Sequence, residues 1–217
     1  QLMEVGDLDF NSLLTRCRSG ADAPSFDVAF VRHYWKEMLE CVQAAHARDV
    51  VHSDLKPANF VLAKGWLKLI DFGIANTIQT DTTVNVHRDT MAGTPNYMSP
   101  ESLMDSNQYA FLSSAHDGRF FHVPASDSSE IVKVGEPSDV WSLGCILHQL
   151  VYGAPPFGHM AAHASRICAI VDWSHPIEFP ATTAEDGHSR VPPDLIRTMR
   201  RCLSREQKHR PTCEELL

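Results

Sequence analysis

The sequence predicts a mainly α-helical chain that contains one small β-hairpin, an α+β fold. In residues 24–48, apolar side chains recur at spacings of three and four, which is the period of an amphipathic helix. Two short β-rich runs, 60–62 and 67–70, flank Gly65 and are typical of a hairpin with a tight turn. A mostly apolar helical pattern returns at Ser138. With 217 residues and 43% hydrophobic composition, the chain can bury one sizeable core.

The remaining segments alternate between helices and polar stretches. After the hairpin, the chain is polar and Thr-rich as far as Tyr97, which predicts a long loop. Clusters of Ser, Asp and Gly in residues 104–137 predict a partly disordered surface insertion. Further helices are predicted at 138–152, 160–171 and 193–203, with a last one that begins at Pro211.

Composition excludes several classes of function. A formal net charge of −8 argues against nucleic acid as a partner. No apolar run approaches the roughly 20 residues that a membrane span requires, so no membrane partner is expected. The six cysteines are scattered and form no CxxC pair, which favours reduced thiols in an intracellular chain. Because the chain opens on Gln1 and an acidic segment, we expect a fragment without a signal peptide.

Polar residues stand at fixed spacing on both sides of the hairpin. The sequence Val51-His52-Ser53-Asp54-Leu55-Lys56-Pro57-Ala58-Asn59 precedes it, and Asp71-Phe72-Gly73 follows it. In-line phosphoryl transfer needs a carboxylate near the attacking hydroxyl and hard oxygen ligands that hold Mg²⁺ on the phosphates. Asp54, Asn59 and Asp71 are residues of these types. A polar turn between a helix and a hairpin is the alternative for either motif alone.

The two motifs match the catalytic-loop and DFG signatures of eukaryotic protein kinases in order and spacing. The chain therefore resembles the larger, C-terminal lobe of that fold. The resemblance implies that Asp54 accepts the substrate hydroxyl proton, that Lys56 offsets charge on the transferring group, and that Asn59 and Asp71 hold Mg²⁺ for ATP. Thr94, in a Gly-Thr-Pro sequence, resembles Ser/Thr kinases and would hydrogen-bond near Asp54 and Lys56.

The first residues resemble the hinge between the two kinase lobes. In that alignment Met3 is the gatekeeper, the Glu4 carbonyl and the Gly6 backbone face adenine, and Asp9 lies near the ribose. An ordinary acidic loop is the alternative interpretation of the same residues.

Five further residues have architectural roles in kinases. His52 is expected to pack beneath Phe72 as the lower half of a hydrophobic spine. Glu101, in Ser-Pro-Glu where most kinases have Ala-Pro-Glu, is expected to pair with Arg210. Asp139 is expected to accept hydrogen bonds from the catalytic-loop backbone at the start of a buried helix.

A narrower resemblance rests on four segments of the sequence. They are His52-Ser53-Asp54, Asp71-Phe72-Gly73-Ile74-Ala75-Asn76, Asp81-Thr82-Thr83 and Gly93-Thr94-Pro95-Asn96-Tyr97-Met98. These resemble the monopolar-spindle (TTK-type) checkpoint kinases and in particular their fungal branch. Ser53 stands where most kinases have an Arg that grips a phosphate. The resemblance implies autophosphorylation at Thr82 and Thr83, some capacity towards Tyr, kinetochore proteins as substrates, and a place in the nucleus, at the kinetochore or on the spindle.

The resemblance divides the chain into a hinge, 1–9, and a C-lobe, 10–217, with an activation segment at 71–101. The Gly-rich loop, the strand Lys and the helix Glu of the N-lobe are absent from these 217 residues. We therefore expect the full-length protein to be a Ser/Thr or dual-specificity kinase and the fragment alone to be inactive. A pseudokinase that serves as a docking module is the alternative, which the upstream sequence would decide. Small-molecule kinases are disfavoured by Gly93-Thr94 and Ser99-Pro100-Glu101.

Overall fold

The computed structural model describes residues 6–18, 27–72, 76–77, 95–104, 134–183 and 189–217. Its helices are α1 (Phe10–Arg18), α2 (Val28–His46), α3 (Pro100–Met104), α4 (Glu136–Tyr152), α5 (His163–Val171), α6 (Pro193–Cys202) and α7 (Cys213–Leu216). Its strands are β1 (Leu8–Asp9), β2 (Val50–Val51), β3 (Phe60–Ala63), β4 (Trp66–Leu69) and β5 (Asn76–Thr77). The predicted mainly helical fold with a small hairpin is confirmed. In this part of the chain, no helix combines the length and apolarity of a membrane span.

The long amphipathic helix predicted at 24–48 is α2, and it is shorter at both ends. The side chain of Asp27 accepts a hydrogen bond from the Ala29 N–H at 2.8 Å and caps the helix. At the other end, the Ala47 N–H donates to the Gln43 carbonyl, and Asp49 then has a φ of 56°, which a helix cannot continue. The apolar stripe of α2 faces the core as the period predicted.

The predicted hairpin is formed by β3 and β4, with Ala63 opposite Trp66. Lys64 and Gly65 make the two-residue turn, and their φ values of 52° and 85° suit the twist of the flanking strands. The side chain of Asp7 accepts a hydrogen bond from the Lys64 N–H at 3.0 Å. β1 adds a third strand against β3, so the segment before α1 is joined to the hairpin.

The core is built around α4, which is buried on nearly all sides. Buried apolar residues of α2 and α6 pack against it, including Val31, Met38 and Met199. α4 starts two residues before the predicted Ser138, because Glu136 and Pro137 occupy its first turn, where proline is well tolerated. Met104 belongs to α3. The boundaries predicted for the insertion, 104–137, were therefore too wide, and 105–133 lie outside the described residues.

Three further predicted helix boundaries differ from the structure, and two helices, α1 and α3, were not predicted. α5 starts at His163 rather than near 160, α6 ends at Cys202 rather than 203, and α7 starts at Cys213 rather than at Pro211. α1 was not predicted, although Phe10 and Leu14 are buried at a helical spacing. Short helices have few periodic residues, so their ends are set by caps and tertiary contacts.

Gly144 lets α4 approach the end of α6 closely. A Cβ atom at Gly144 would lie 2.7 Å from the Cys202 Cβ and 3.0 Å from the Leu203 Cγ. Gly→Ala in an open helix stabilises by about 1 kcal/mol, but overpacking costs about 1–3 kcal/mol. We therefore expect Gly144→Ala to lower the melting temperature. An unchanged or higher melting temperature would show that α4 and the end of α6 can move apart without loss of stability.

Candidate active site

The segment between β2 and β3 presents a carboxylate and an amine together. The Lys56 Nζ lies 2.8 Å from Asp54 Oδ2, and the two side chains are 39% and 33% exposed. This partial exposure leaves the carboxylate open to a ligand that approaches from solvent. An amine paired with a carboxylate places positive charge beside a group that can accept a proton, an arrangement that can stabilise a phosphoryl group.

Hydrogen bonds hold Asp54 on both sides of its backbone. Its N–H donates to His52 Nδ1 at 3.3 Å, and its carbonyl accepts from Asn59 Nδ2 at 2.9 Å. Because Nδ1 of His52 accepts, the proton of the neutral ring lies on Nε2, which donates to the Ile70 carbonyl at 3.0 Å. Since Asn59 donates through its NH₂ group to Asp54, its Oδ1 atom remains available as a metal ligand.

The hairpin brings Asn59 next to Asp71. Phe60 pairs with Leu69, and the Ile70 N–H donates to the Asn59 carbonyl at 2.9 Å, which sets Asn59 beside the residue that precedes Asp71. Asp71 is exposed and has a φ of 63°. An amide oxygen and a carboxylate are the hard oxygen donors that Mg²⁺ prefers, so these residues fit that ion.

The segment between β2 and β3 is attached to the core through Asp139, which is fully buried. Its Oδ2 accepts from the His52 N–H at 2.9 Å and its Oδ1 accepts from the Ser53 N–H at 2.8 Å. His46 Nε2 lies 2.9 Å from the same Oδ2. These bonds hold Ser53 at a φ of 64°, a left-handed conformation that non-glycine residues rarely adopt. His46 was not singled out from the sequence, which carries no local signal for a partner 93 residues away.

Asp139→Asn should weaken this attachment without changing side-chain size. One oxygen becomes an NH₂ group that faces a donor, and a buried unsatisfied donor costs about 1–3 kcal/mol. We expect a lower melting temperature and slower phosphotransfer by the full-length protein. Asp194→Asn, at an exposed ion pair with Arg32, is the control: it should leave phosphotransfer unchanged and should lower the melting temperature several times less. Equal activity of Asp139→Asn and the wild type would exclude a positioning role.

Phe72 lies against His52 as expected for the lower half of a spine. Their ring centroids are 5.1 Å apart at an interplanar angle of 56°. Phe72 is nevertheless 42% exposed. The exposed face is apolar area that another segment could bury.

Glu101 and Arg210 form a buried ion pair that joins α3 to the segment before α7. Two N–H···O bonds of 2.6 and 2.9 Å connect them, and Ser138 Oγ donates to Glu101 Oε1 at 2.7 Å. Burial would raise the pKa of Glu101, but the bonds and charge of Arg210 outweigh it and hold the pKa below its ordinary value. The guanidinium also lies 5.1 Å from the Trp141 ring centroid.

The segment predicted as the hinge, 1–9, is described from Gly6 onwards. A Cβ atom at Gly6 would lie 2.1 Å from Val61 Cγ1, so only glycine allows this approach to β3. Asp9 accepts from the N–H and the hydroxyl of Ser12 at 2.9 and 2.5 Å, which caps α1 and lowers the pKa of Asp9. Met3 and Glu4 lie outside the described residues.

A cavity of about 300 Å³ opens beside Asp54 and Lys56. Asn11 of α1 and Asn96 also line it, and neither was predicted as a site residue. Asn96 Oδ1 is a buried acceptor without a hydrogen-bond partner among the described residues. Thr94, Thr82 and Thr83, which were predicted as site or phosphorylation residues, lie outside the described part of the chain.

The arrangement of Asp54, Lys56, Asn59 and Asp71 is typical of a protein kinase. Comparison with known families gives the same class of protein. The chain belongs to the protein kinase domain family, whose family model matches residues 2–117 and 128–217.

Several particular protein kinases are similar to this chain over its whole length. Serine/threonine-protein kinase mph1 of Schizosaccharomyces pombe is 43% identical over all of this chain, which covers 30% of that protein. Serine/threonine-protein kinase MPS1 of Saccharomyces cerevisiae is 43% identical, with 26% of it covered. Dual specificity protein kinase TTK of Mus musculus is 41% identical, with 22% covered. The predicted resemblance to the monopolar-spindle kinases is confirmed, and this chain spans less than a third of each relative.

Proposed function

We propose that the protein containing this chain is an ATP- and Mg²⁺-dependent Ser/Thr protein kinase of the monopolar-spindle type, with some capacity towards Tyr. The observation that carries the proposal is the Asp54 carboxylate, which is one-third exposed to solvent, is paired with Lys56 at 2.8 Å and is held through its backbone by Asn59. The relatives named above, a Ser/Thr kinase and a dual-specificity kinase among them, support the same activity.

Each residue then has a chemical task. Asp54 would orient the substrate hydroxyl and accept its proton, and Lys56 would offset charge on the transferring phosphoryl group. Asn59 Oδ1 and the Asp71 carboxylate would hold Mg²⁺, which supplies neutralisation of the phosphate charge when bound. Asp139 keeps this loop in register with the core through two backbone hydrogen bonds.

The nucleotide would lie between this lobe and groups that residues 1–217 do not contain. We propose that the Gly-rich loop, the strand Lys and the helix Glu lie elsewhere in the full-length protein. The backbone at Gly6, packed on Val61, would face adenine, together with the Met3 and Glu4 positions. Any ribose contact of Asp9 must share a carboxylate that already accepts two bonds from Ser12.

The proposed substrates and location follow from the resemblance to the monopolar-spindle kinases. We propose kinetochore proteins as substrates, phosphorylated on Ser or Thr, and a place in the nucleus, at the kinetochore or on the spindle. Thr94 would support Asp54 and Lys56, and Thr82 and Thr83 would be autophosphorylated. Because Ser53 offers no guanidinium, the phosphorylated segment would need another basic partner.

Phosphotransfer from ATP and Mg²⁺ to a generic basic protein tests the proposal. We expect activity in the full-length protein, with phosphoserine and phosphothreonine as the main products. Residues 1–217 alone should show none, because positioning and phosphate neutralisation are divided between two lobes. Robust labelling of the basic protein by residues 1–217 alone would contradict this division of the two tasks between two lobes. A folded but inactive full-length protein would favour the docking-module alternative.

A further inference from the structure

The exposed face of α6 carries a positively charged groove that the proposed chemistry does not use. Residues 193–210 contain six of the 19 Lys and Arg residues but only two acidic residues, in a chain of net charge −8. Arg197, Arg200 and Arg201 share this face, since residues three and four apart on a helix are neighbours. With Ile196 and His209 they line a cavity of about 440 Å³.

Each of the two acidic residues of this region already has a partner, and neither pairs with an arginine of the groove. Asp194 pairs with Arg32 of α2 at 2.7 Å. Glu206 pairs with Lys208 and with His209 Nδ1, the latter at 3.1 Å. Arg197 and Arg201 form no ion pair with any described residue. The groove therefore keeps uncompensated positive charge.

One guanidinium in the groove is held in a defined orientation. The Arg200 guanidinium lies 5.3 Å from the centroid of the Phe179 ring. Stacking on an aromatic ring restricts the planar group and leaves its N–H edge free for a ligand. Ile196 adds an apolar surface below the charges. The groove thus combines the oriented guanidinium of Arg200 with two further arginines and an apolar surface. These features suit a phosphorylated peptide, because a phosphate accepts two parallel N–H bonds from Arg.

We propose that this groove binds a partner protein through an acidic segment that carries phosphoserine or phosphothreonine. Arg197 and Arg201 would contact the phosphate, and Arg200 would contact a second acidic group. The positive charge of the groove follows from the contacts above. The choice of a phosphorylated rather than a merely acidic occupant rests on the proposed kinase activity, whose products are such segments.

The test is fluorescence anisotropy with the full-length protein and no ATP. The probe is a labelled peptide of Ser, Glu and Asp with two phosphoserines, beside its unphosphorylated form. We expect the phosphorylated peptide to bind at least about tenfold more tightly, as charge-assisted Arg–phosphate bonds predict. The double variant Arg197→Ala/Arg201→Ala should lose at least about tenfold of that affinity. The variant Arg16→Ala/Arg48→Ala, at two exposed arginines on other elements, should stay within about twofold of the wild type.

Several outcomes would overturn the proposal. Equal affinity for both peptides would exclude a phosphorylated occupant. Equal losses of affinity in the two double variants would show that binding depends only on the net charge of the protein. Binding to vesicles of anionic lipid that needs Arg197 and Arg201, without peptide binding, would assign the groove to membranes. Because no ATP is present, peptide binding by a protein without phosphotransfer activity would leave the groove in place and contradict only the proposed function. Matching melting temperatures of the variants show that each is folded.

Discussion

Asp71→Asn in the full-length protein is expected to lower kcat for phosphotransfer by about 10²–10³-fold. The substitution replaces a charged oxygen with a neutral amide, so the proposed site would hold Mg²⁺ less well and would neutralise less phosphate charge. Asp71 has a φ of 63°, and Asn adopts that left-handed region as readily as Asp does. The loss would therefore report on ligand charge and not on a distorted backbone.

The chain provides a matched control for this experiment. Asp49 is also exposed and has a φ of 56°, but it precedes β2 and lies outside the site. Asp49→Asn should leave kcat unchanged. A second measurement, the rise in melting temperature caused by ATP with Mg²⁺, should shrink only in Asp71→Asn. Activity of Asp71→Asn within about tenfold of the wild type would contradict the assignment of Asp71 as a ligand.

The second large effect is expected at the buried ion pair. Glu101→Gln leaves the Arg210 guanidinium buried without a counter-charge, and breaking such a pair costs about 3–5 kcal/mol. For a domain of this size, the melting temperature should fall by roughly 6–20 °C. Asp194→Asn removes the partner of Arg32 at an exposed pair, which contributes only about 0–1 kcal/mol. It should therefore cause a shift several times smaller.

The dependence on pH gives the same pair a separate test. The pKa of Glu101 is lowered in the folded state, so its ionised form adds stability above its unfolded value of about 4.5. That contribution is lost as the pH falls through the lower, folded pKa. Glu101→Gln should therefore flatten the acid side of the stability profile. Parallel profiles for the variant and the wild type would mean that other carboxylates govern acid unfolding. Replacing both partners with apolar residues of similar volume should recover much of the stability.

Local features of the sequence predicted local structure well. The apolar period over α2 and α4 predicted two helices that the structure contains, since side chains three and four apart share a helix face. Gly65 between two β-rich runs predicted the hairpin, because a residue with positive φ is required there. The order of Asp54, Asn59 and Asp71 around that hairpin predicted a phosphoryl-transfer site. Hairpin pairing then brings Asn59 next to Asp71.

The long-range partners could not be derived from spacing. Asp139 was assigned to the catalytic loop, and Glu101 to Arg210, only through resemblance to a family, because the bonded residues are 87 and 109 positions apart. No local pattern predicted the hydrogen bond between His46 and Asp139. The same holds for the buried Asn96 Oδ1, which has no hydrogen-bond partner among the described residues.

The sequence by itself determined the helical fold class, the hairpin and the types of residue available for catalysis, because backbone preference and periodicity act over a few residues. Only the tertiary structure decided where helices such as α1 and α5 begin, which carboxylates are buried against cations, and that three arginines of α6 line one groove. Those outcomes depend on which distant surfaces pack together, and a contact between distant segments leaves no periodic trace in either one.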